Sequence, residues 1–215
     1  LDGRDLLCIL PTGAGKSLCW QLPALMMDEL TVVISPLIVL MHDQVRHLRE
    51  KSIPSVHLDS LMTPAERADA LNQLTRGQAK IAFLAPERLN HPEIHALCRQ
   101  HPPTMVVVDE AHCVVQWGDA FRPSYQQIGQ FVSSLPRRPV LCAMTATADK
   151  QLQRGIVQSL GLRHPKRIVM PVERPNLHYS VLPTVHVTDA VLRALQKIPG
   201  KAVVFCRLRA RTESP

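Results

Sequence analysis

Val106-Val-Val-Asp-Glu-Ala-His-Cys-Val-Val-Gln-Trp-Gly-Asp-Ala-Phe-Arg-Pro-Ser-Tyr125 is the stretch that decides how this chain is read. Its first three residues are β-branched and apolar, the composition of a strand buried on both faces. Such a strand delivers Asp109 and Glu110 to its C-terminal end, the edge of an α/β sheet at which ligands bind. Adjacent carboxylates there suit a metal–nucleotide site, one holding Mg²⁺ and the other orienting or deprotonating a water. Trp117, Phe121 and Arg122 follow within one loop length. Two aromatic faces and a guanidinium are the usual means of gripping unstacked bases. A nucleotide site joined to a base-stacking loop implies a nucleic-acid motor.

Upstream, Leu10-Pro-Thr-Gly-Ala-Gly-Lys-Ser17 follows one expected strand and opens an expected helix, the setting that a phosphate loop requires. Its glycines let the backbone curl so that N–H groups and the helix dipole face an anion. Lys16 then reaches the β- and γ-phosphates, and the Ser17 hydroxyl holds Mg²⁺. Thr12, Gly13, Gly15, Lys16 and Ser17 are thus the candidate nucleotide-binding residues, with Asp109 beside them; Ser17 and Asp109 are the candidate Mg²⁺ ligands. One position departs from the general pattern, which places a glycine where this chain has Leu10.

Working outward, short β-type runs alternate with helical patterns, the mark of a parallel sheet with crossover helices. Strands are expected at 6–10, 31–35, 55–58, 81–84, 105–108 and 140–143, and helices at 16–27, 38–51, 64–76, 93–100, 125–134 and 149–160. The third helix carries a start signal in Thr63-Pro-Ala-Glu66, which combines an N-cap, a proline at the first helical position and a capping-box glutamate. Gly161-Leu-Arg-His-Pro165 reads as a helix stop, placing a boundary between a first domain at 1–163 and a second unit at 164–215. That second unit is expected to begin with strands at 167–170 and 177–182, a helix at 189–197 and a strand at 202–206.

Composition narrows the class. A 46% hydrophobic content in 215 residues is ordinary for a globular protein with a real core. No run approaches the roughly 18 apolar residues of a membrane span, and no signal peptide opens the chain. Six cysteines include no Cys-x-x-Cys pair, which argues against zinc and against a secreted disulfide framework, so no zinc site is expected within this stretch. Buried thiols in a reducing compartment, cytoplasm with nucleoid or a nucleus, are the expectation. The net charge of +7 is unevenly placed: residues 1–162 are neutral, and the whole excess lies in 163–215. A basic segment is open to two readings, contact with a polyanion or a solvated surface. Both ends of the chain look cut, so a fragment of a longer protein is expected.

The two motifs, taken with others in the same order, resemble the RecQ family of DNA helicases, a branch of helicase superfamily 2 with an Asp-Glu-Ala-His motif II. Ser17-Leu-Cys-Trp-Gln-Leu-Pro-Ala-Leu25 resembles the family's first helix, and Ser35-Pro-Leu-Ile-Val-Leu-Met-His-Asp-Gln-Val45 its motif Ia. Leu84-Ala-Pro-Glu-Arg-Leu89 resembles motif Ib, Met144-Thr-Ala-Thr-Ala148 motif III, Arg174-Pro-Asn-Leu-His-Tyr179 the entry to the second motor domain, and Ala202-Val-Val-Phe-Cys-Arg207 the start of motif IV. Superfamily 2 enzymes commonly lack the first phosphate-loop glycine, as here. The resemblance implies a RecA-like parallel sheet flanked by helices, followed by the truncated start of a second RecA-like unit. It implies Mg-ATP as cofactor, single-stranded and duplex DNA as partner, and 3′→5′ unwinding in repair and recombination.

By the same resemblance Lys16 and Ser17 bind Mg-ATP, Asp109 holds the metal and Glu110 positions the attacking water. His112, Gln116, Thr145 and Thr147 link the nucleotide site to DNA, and Trp117, Phe121 and Arg122 sense the single strand. Motif Ia and Ib residues touch the DNA backbone by the same resemblance. The residues themselves leave alternatives open: His112 as a satisfied structural histidine, Trp117 and Phe121 as a hydrophobic plug, and the helix around Met41, His42 and Gln44 as a packed face instead of a DNA contact. An RNA helicase of the same superfamily, or a degenerate nucleic-acid-binding protein, are the rival functions. Two departures bear on activity. Where the family has His-Asp after Trp-Gly, this chain has Asp119-Ala120, from which weakened coupling to DNA is expected. Motifs V and VI, with the arginine that completes the ATP site, would lie beyond Pro215, so the chain alone is expected to turn over nucleotide poorly.

Overall fold

Strands rich in valine, isoleucine and leucine alternate with amphipathic helices, and those at 31–34, 81–84 and 105–108 are buried along their whole length; such a pattern belongs in a sheet covered on both faces. The computed structural model describes residues 2–115, 123–171, 176–197 and 199–205 and has that architecture. In chain order the elements are β1 (Leu6–Ile9), α1 (Lys16–Met26), β2 (Thr31–Ile34), α2 (Ile38–Glu50), β3 (Ser55–Leu58), α3 (Pro64–Thr75), β4 (Ile81–Leu84), α4 (Pro92–Gln100), β5 (Met105–Val108), α5 (Pro123–Ser134), β6 (Val140–Thr145), α6 (Lys150–Leu160), β7 (Lys166–Val169) and α7 (Val187–Lys197). Short 3₁₀ turns follow β4 at Pro86–Arg88 and β5 at Ala111–Val114.

The seven strands form one sheet in the order β3-β4-β2-β5-β6-β1-β7, and every adjacent pair is parallel. Alternation along each strand divides the core in two. Val106 and Val108 of β5 join Leu7, Ile34 and Leu84 on the face covered by α3, α4, α5 and α6, where Leu74, Ile94, Phe131 and Ile156 are buried. Met105 and Val107 point the other way, with Cys8, Val33 and Phe83, onto Trp20 and Ala24 of α1 and Met41 and Val45 of α2. Trp20 packs edge-on against Phe83 with ring centroids 5.8 Å apart, a core role in place of a ligand contact. Among the described cysteines, Cys8, Cys98, Cys113 and Cys142 are buried free thiols and Cys19 is exposed.

One strand sits elsewhere than expected. The run assigned to the start of the second unit is β7, which pairs in parallel with β1 from Leu6↔Lys166 to Ile9↔Val169 and so completes the first sheet. The first compact unit accordingly runs over residues 1–172, past the helix stop at Gly161, and the second over 173–215. A helix stop marks the end of a helix, and a further edge strand can still follow it. Within the second unit the expected helix is present as α7, whereas 177–182 and 201–205 pair with no strand among the described residues. Extended backbone becomes a strand only when a neighbour takes up its N–H and C=O groups. No helix among the described residues is long and apolar enough to cross a membrane.

Candidate nucleotide site

Three neighbouring strands, β5, β6 and β1, end at the same edge of the sheet, and their next residues make the site. After β1 the chain curls through residues 10–15 into α1. Gly13 and Gly15 lie in the left-handed region at φ 84° and 79°. A Cβ at Gly13 would meet nothing within 4 Å, so backbone conformation, and not crowding, is what calls for glycine there. Gly15 caps α1, whose first residues are Lys16 and Ser17, so the helix N-terminus and its free N–H groups open onto the loop. The Lys16 ammonium donates to the Leu10 carbonyl at 3.3 Å, folding the cation back over the loop. Ser17 Oγ accepts a hydrogen bond from Gln44 Nε2 of α2 at 3.0 Å, and Gln44 Oε1 accepts one from Gln21 Nε2 at 3.0 Å.

Beyond β5, Asp109 is anchored by its own N–H on the Ile34 carbonyl at 2.9 Å. The buried Tyr125 hydroxyl, delivered by α5, donates to the Asp109 carbonyl at 3.2 Å. Asp109 Oδ1 in turn accepts the Glu110 N–H at 2.9 Å. Glu110 adopts φ 48° and ψ 45°, left-handed backbone in a residue that bears a Cβ, and the 3₁₀ turn follows at once. That turn brings His112 back toward the sheet. Its Nδ1 lies 3.2 Å from Glu110 Oε2 and 3.0 Å from Thr145 Oγ1 at the end of β6, and Thr145 Oγ1 donates to the Thr147 carbonyl at 3.2 Å.

The charges are coupled. Burial, and then the charge of Glu110, pushes the Asp109 carboxyl above the usual range, against the opposing pull of Lys16 and His112. Glu110 is held below its ordinary value chiefly by its hydrogen bond with His112. The His112 imidazole is pushed up to about 10 by its hydrogen-bond partners, the Cys113 thiol and the Glu110 carboxylate. At neutral pH the site therefore pairs an imidazolium with one carboxylate and leaves the other carboxyl short of positive charge.

Comparison with known proteins points the same way. The family model for the DEAD/DEAH box helicases matches residues 1–154, well over half of the chain. This chain belongs to the DEAD/DEAH box helicases. Within that family it is similar to the ATP-dependent DNA helicase RecQ of Synechocystis, 45% identical over 186 residues that cover 84% of this chain and 39% of the relative. It is similar as well to the RecQ of Haemophilus influenzae, 37% identical over 214 residues covering 99% of this chain and 34% of that protein. The chain thus spans little more than a third of the length of these relatives. The solved helicase domain of Pyrococcus furiosus Hef, at 20% identity and a TM-score of 0.59, covers 78% of this chain and 36% of its own and shares the RecA-like fold.

In this DEAD/DEAH box helicase, Thr12, Gly13, Gly15, Lys16 and Ser17 form one loop-and-helix-start, with Asp109, Glu110, His112, Thr145 and Thr147 at the ends of the two strands beside β1. Gln116, Trp117, Phe121 and Arg122, with Asp119 and Ala120, lie outside the described residues. Two residues in the site were not among those expected there. Gln44 reaches Ser17 from 27 positions away, and nothing in the sequence signals that contact. Tyr125 reads in the sequence only as the close of a motif, and its burial within α5 is what aims its hydroxyl at the Asp109 carbonyl. The helix around Met41 divides: Met41 is core, Gln44 joins the phosphate loop, and His42 bonds Asp59.

Proposed function

We propose that this chain is the nucleotide-binding motor unit of a RecQ-type ATP-dependent DNA helicase. In the whole protein it couples Mg-ATP hydrolysis to 3′→5′ movement on single-stranded DNA and to duplex unwinding in repair and recombination. The observation that carries the reading is the run of contacts from Glu110 through His112 to Thr145, which joins the end of β5 to the end of β6. The names of the similar proteins, ATP-dependent DNA helicases, support the choice of DNA.

The residues present fit an Mg-nucleotide. Left-handed glycines curve the loop open, and α1 points its N-terminus into it. A carboxyl driven up by burial and then by a neighbouring carboxylate is a place where a divalent cation removes a cost. When bound, Mg-ATP supplies the phosphoryl group whose transfer to water releases the energy. Lys16 and the loop N–H groups hold the phosphates. Ser17 Oγ and Asp109 would hold the metal, with Gln44 donating to the Ser17 hydroxyl. Glu110 accepts the proton of the attacking water, and His112 fixes that carboxylate while reporting its state to Thr145. Gln116, Trp117, Phe121 and Arg122 contact the single strand, and residues 173–215 begin the second RecA-like unit.

The test is nucleotide hydrolysis and strand separation by a protein carrying this chain in full length, with single-stranded DNA or RNA as stimulator. DNA should stimulate turnover, and Lys16→Ala should abolish it. Glu110→Gln should lower kcat by about 10²–10⁴-fold, the span of a lost general base, while leaving nucleotide binding in place. Equal stimulation by RNA would favour the RNA helicase alternative, and no turnover with either would overturn the reading.

A further inference from the structure

Away from the nucleotide site, two imidazoles and a carboxylate converge at the C-terminal end of β3. His57 belongs to β3, Asp59 follows the strand, and His42 comes from the second turn of α2. Asp59 Oδ2 lies 2.9 Å from both His42 Nε2 and His57 Nδ1, and the two rings are 4.1 Å apart with a 34° tilt. One donor atom from each of the three lies within 4.8 Å of the other two. Asp59 has no exposed surface, and its position is fixed independently of the histidines. Its Oδ1 accepts the Leu61 N–H at 2.8 Å, and its carbonyl accepts Arg88 Nε at 3.1 Å and Nη2 at 2.6 Å. Such outer bonds are what orient a metal-binding carboxylate.

We propose that His42, His57 and Asp59 bind a divalent transition metal, with Zn²⁺ the best match. Two imidazole nitrogens and one carboxylate oxygen form a three-ligand set that leaves a fourth position for water, whereas Mg²⁺ and Ca²⁺ select oxygen donors. Zinc bonds of about 2.0–2.2 Å place tetrahedral donors roughly 3.3 Å apart. The 2.9 Å separations need to open by only a few tenths of an ångström. The His42 side chain, 44% exposed against 22% for His57, has room to make that shift, and it marks the side on which the open position meets solvent. Without metal, the facing ring nitrogens donate to Asp59. On binding, each neutral ring carries its hydrogen on the far nitrogen and turns a lone pair to the ion, and any imidazolium releases its extra proton to solvent. Arg49 and Arg88, each bonded to a backbone carbonyl beside the trio, keep the site less attractive to a cation than a bare carboxylate pocket.

Zinc bound here ties α2 to β3, and α2 is the helix whose Gln44 holds Ser17. The experiment is Zn²⁺ titration of the tag-free protein in competition with a chromophoric chelator, together with thermal unfolding with and without Zn²⁺ and the ligand-field spectrum of the Co²⁺ form. One zinc per chain, a raised Tm and four- or five-coordinate cobalt bands are expected. His42→Ala, on a half-exposed helix face and checked for folding by circular dichroism, should weaken binding by at least the roughly 10–100-fold that an outer-sphere loss costs, and should erase the Tm shift. His57→Ala should do the same. Retention of zinc affinity and Tm shift in both variants would assign the binding to other surface histidines. No binding by the parent at millimolar zinc would leave the trio as a hydrogen-bonded anchor for Asp59; either result overturns the proposal.

Discussion

Glu110 stands in left-handed backbone, which costs a residue with a side chain on the order of 1–3 kcal/mol and persists only where the surroundings enforce it. The bonds from Asp109 to its N–H and from His112 to its carboxylate supply that enforcement. From sequence alone His112 is open to two roles, a satisfied structural histidine and a coupling residue. In the structure one nitrogen, Nδ1, lies within hydrogen-bond distance of both Glu110 Oε2 on the strained turn and Thr145 Oγ1 on the neighbouring strand. The electrostatics give a pH signature. His112 is raised from 6.5 to about 10 on folding, so its contribution to stability is complete below pH 6.5 and is lost as pH climbs through 10. Glu110 is shifted down from 4.5, so its share is present above that value and is lost as pH falls through the lower folded one. The stability difference between the parent and His112→Ala, measured by denaturant unfolding, should therefore shrink steadily between pH 6.5 and 10. A difference that stays constant across that range would show that the imidazole is neutral in the folded protein.

Helices α5 and α6 meet through glycine. A Cβ built on Gly129 would lie 2.6 Å from the Ser159 carbonyl oxygen, and one on Gly155 would lie 2.8 Å from Val115 Cγ1. At Gly155 both methyls of the stiff, β-branched Val115 stand in the way, and at Gly129 the obstacle is backbone. Gly129→Ala should thus destabilise by about 1–3 kcal/mol, the cost of overpacking, despite alanine's better helix propensity. Urea unfolding of the two proteins decides it, and an alanine variant as stable as the parent would mean that the helices slide apart freely. Neither close approach is visible in the sequence, where both glycines look like mid-helix liabilities. What was legible at this scale is what local chemistry dictates. The Thr63 capping box forms as written, with Glu66 N–H on Thr63 Oγ1 and the Glu66 carboxylate on Thr63 N–H. Asp149 caps α6 through the Leu152 N–H, and Gly161 closes that helix in left-handed conformation. The strand at 166–169 is legible as a strand but its place in the first sheet is not, because its partner β1 lies some 160 positions away and no local pattern names a partner.

The strand order β3-β4-β2-β5-β6-β1-β7 shows why the site was readable while the architecture around it was only partly so. Loops at the C-terminal ends of parallel strands converge whatever their order, so sequence alone brings the loop at 10–15 and the Asp109–Glu110 pair to one edge of the sheet. Which strand lies between them, and hence that Thr145 bridges them, depends on long-range pairing. The same holds at the opposite edge of the sheet, where Asp5, just ahead of β1, gathers two distant segments, the start of β6 and the stretch after α6. Its buried carboxylate accepts Arg138 Nη1 at 3.1 Å and Nη2 at 2.6 Å, the Leu141 N–H at 3.0 Å and the Arg163 N–H at 2.6 Å. Burial alone would raise this carboxyl, but the Arg138 guanidinium and the two N–H groups outweigh it and hold it below 3.8. Asp5→Ala leaves a guanidinium and two N–H groups without their acceptor. With 26% of the Arg138 side chain still exposed, the loss should fall near the lower end of the usual range for a broken buried pair, about 3 kcal/mol. Because the folded pKa is depressed, the stabilisation is present above pH 3.8 and lost as pH falls through the folded value. Unfolding of the parent and of Asp5→Asn, which keeps the shape without the charge, should therefore differ most near neutrality and converge in acid. Curves that stay equally far apart at pH 7 and below pH 3 would mean that the clasp is held by shape and hydrogen bonds alone, with no part played by the carboxylate charge.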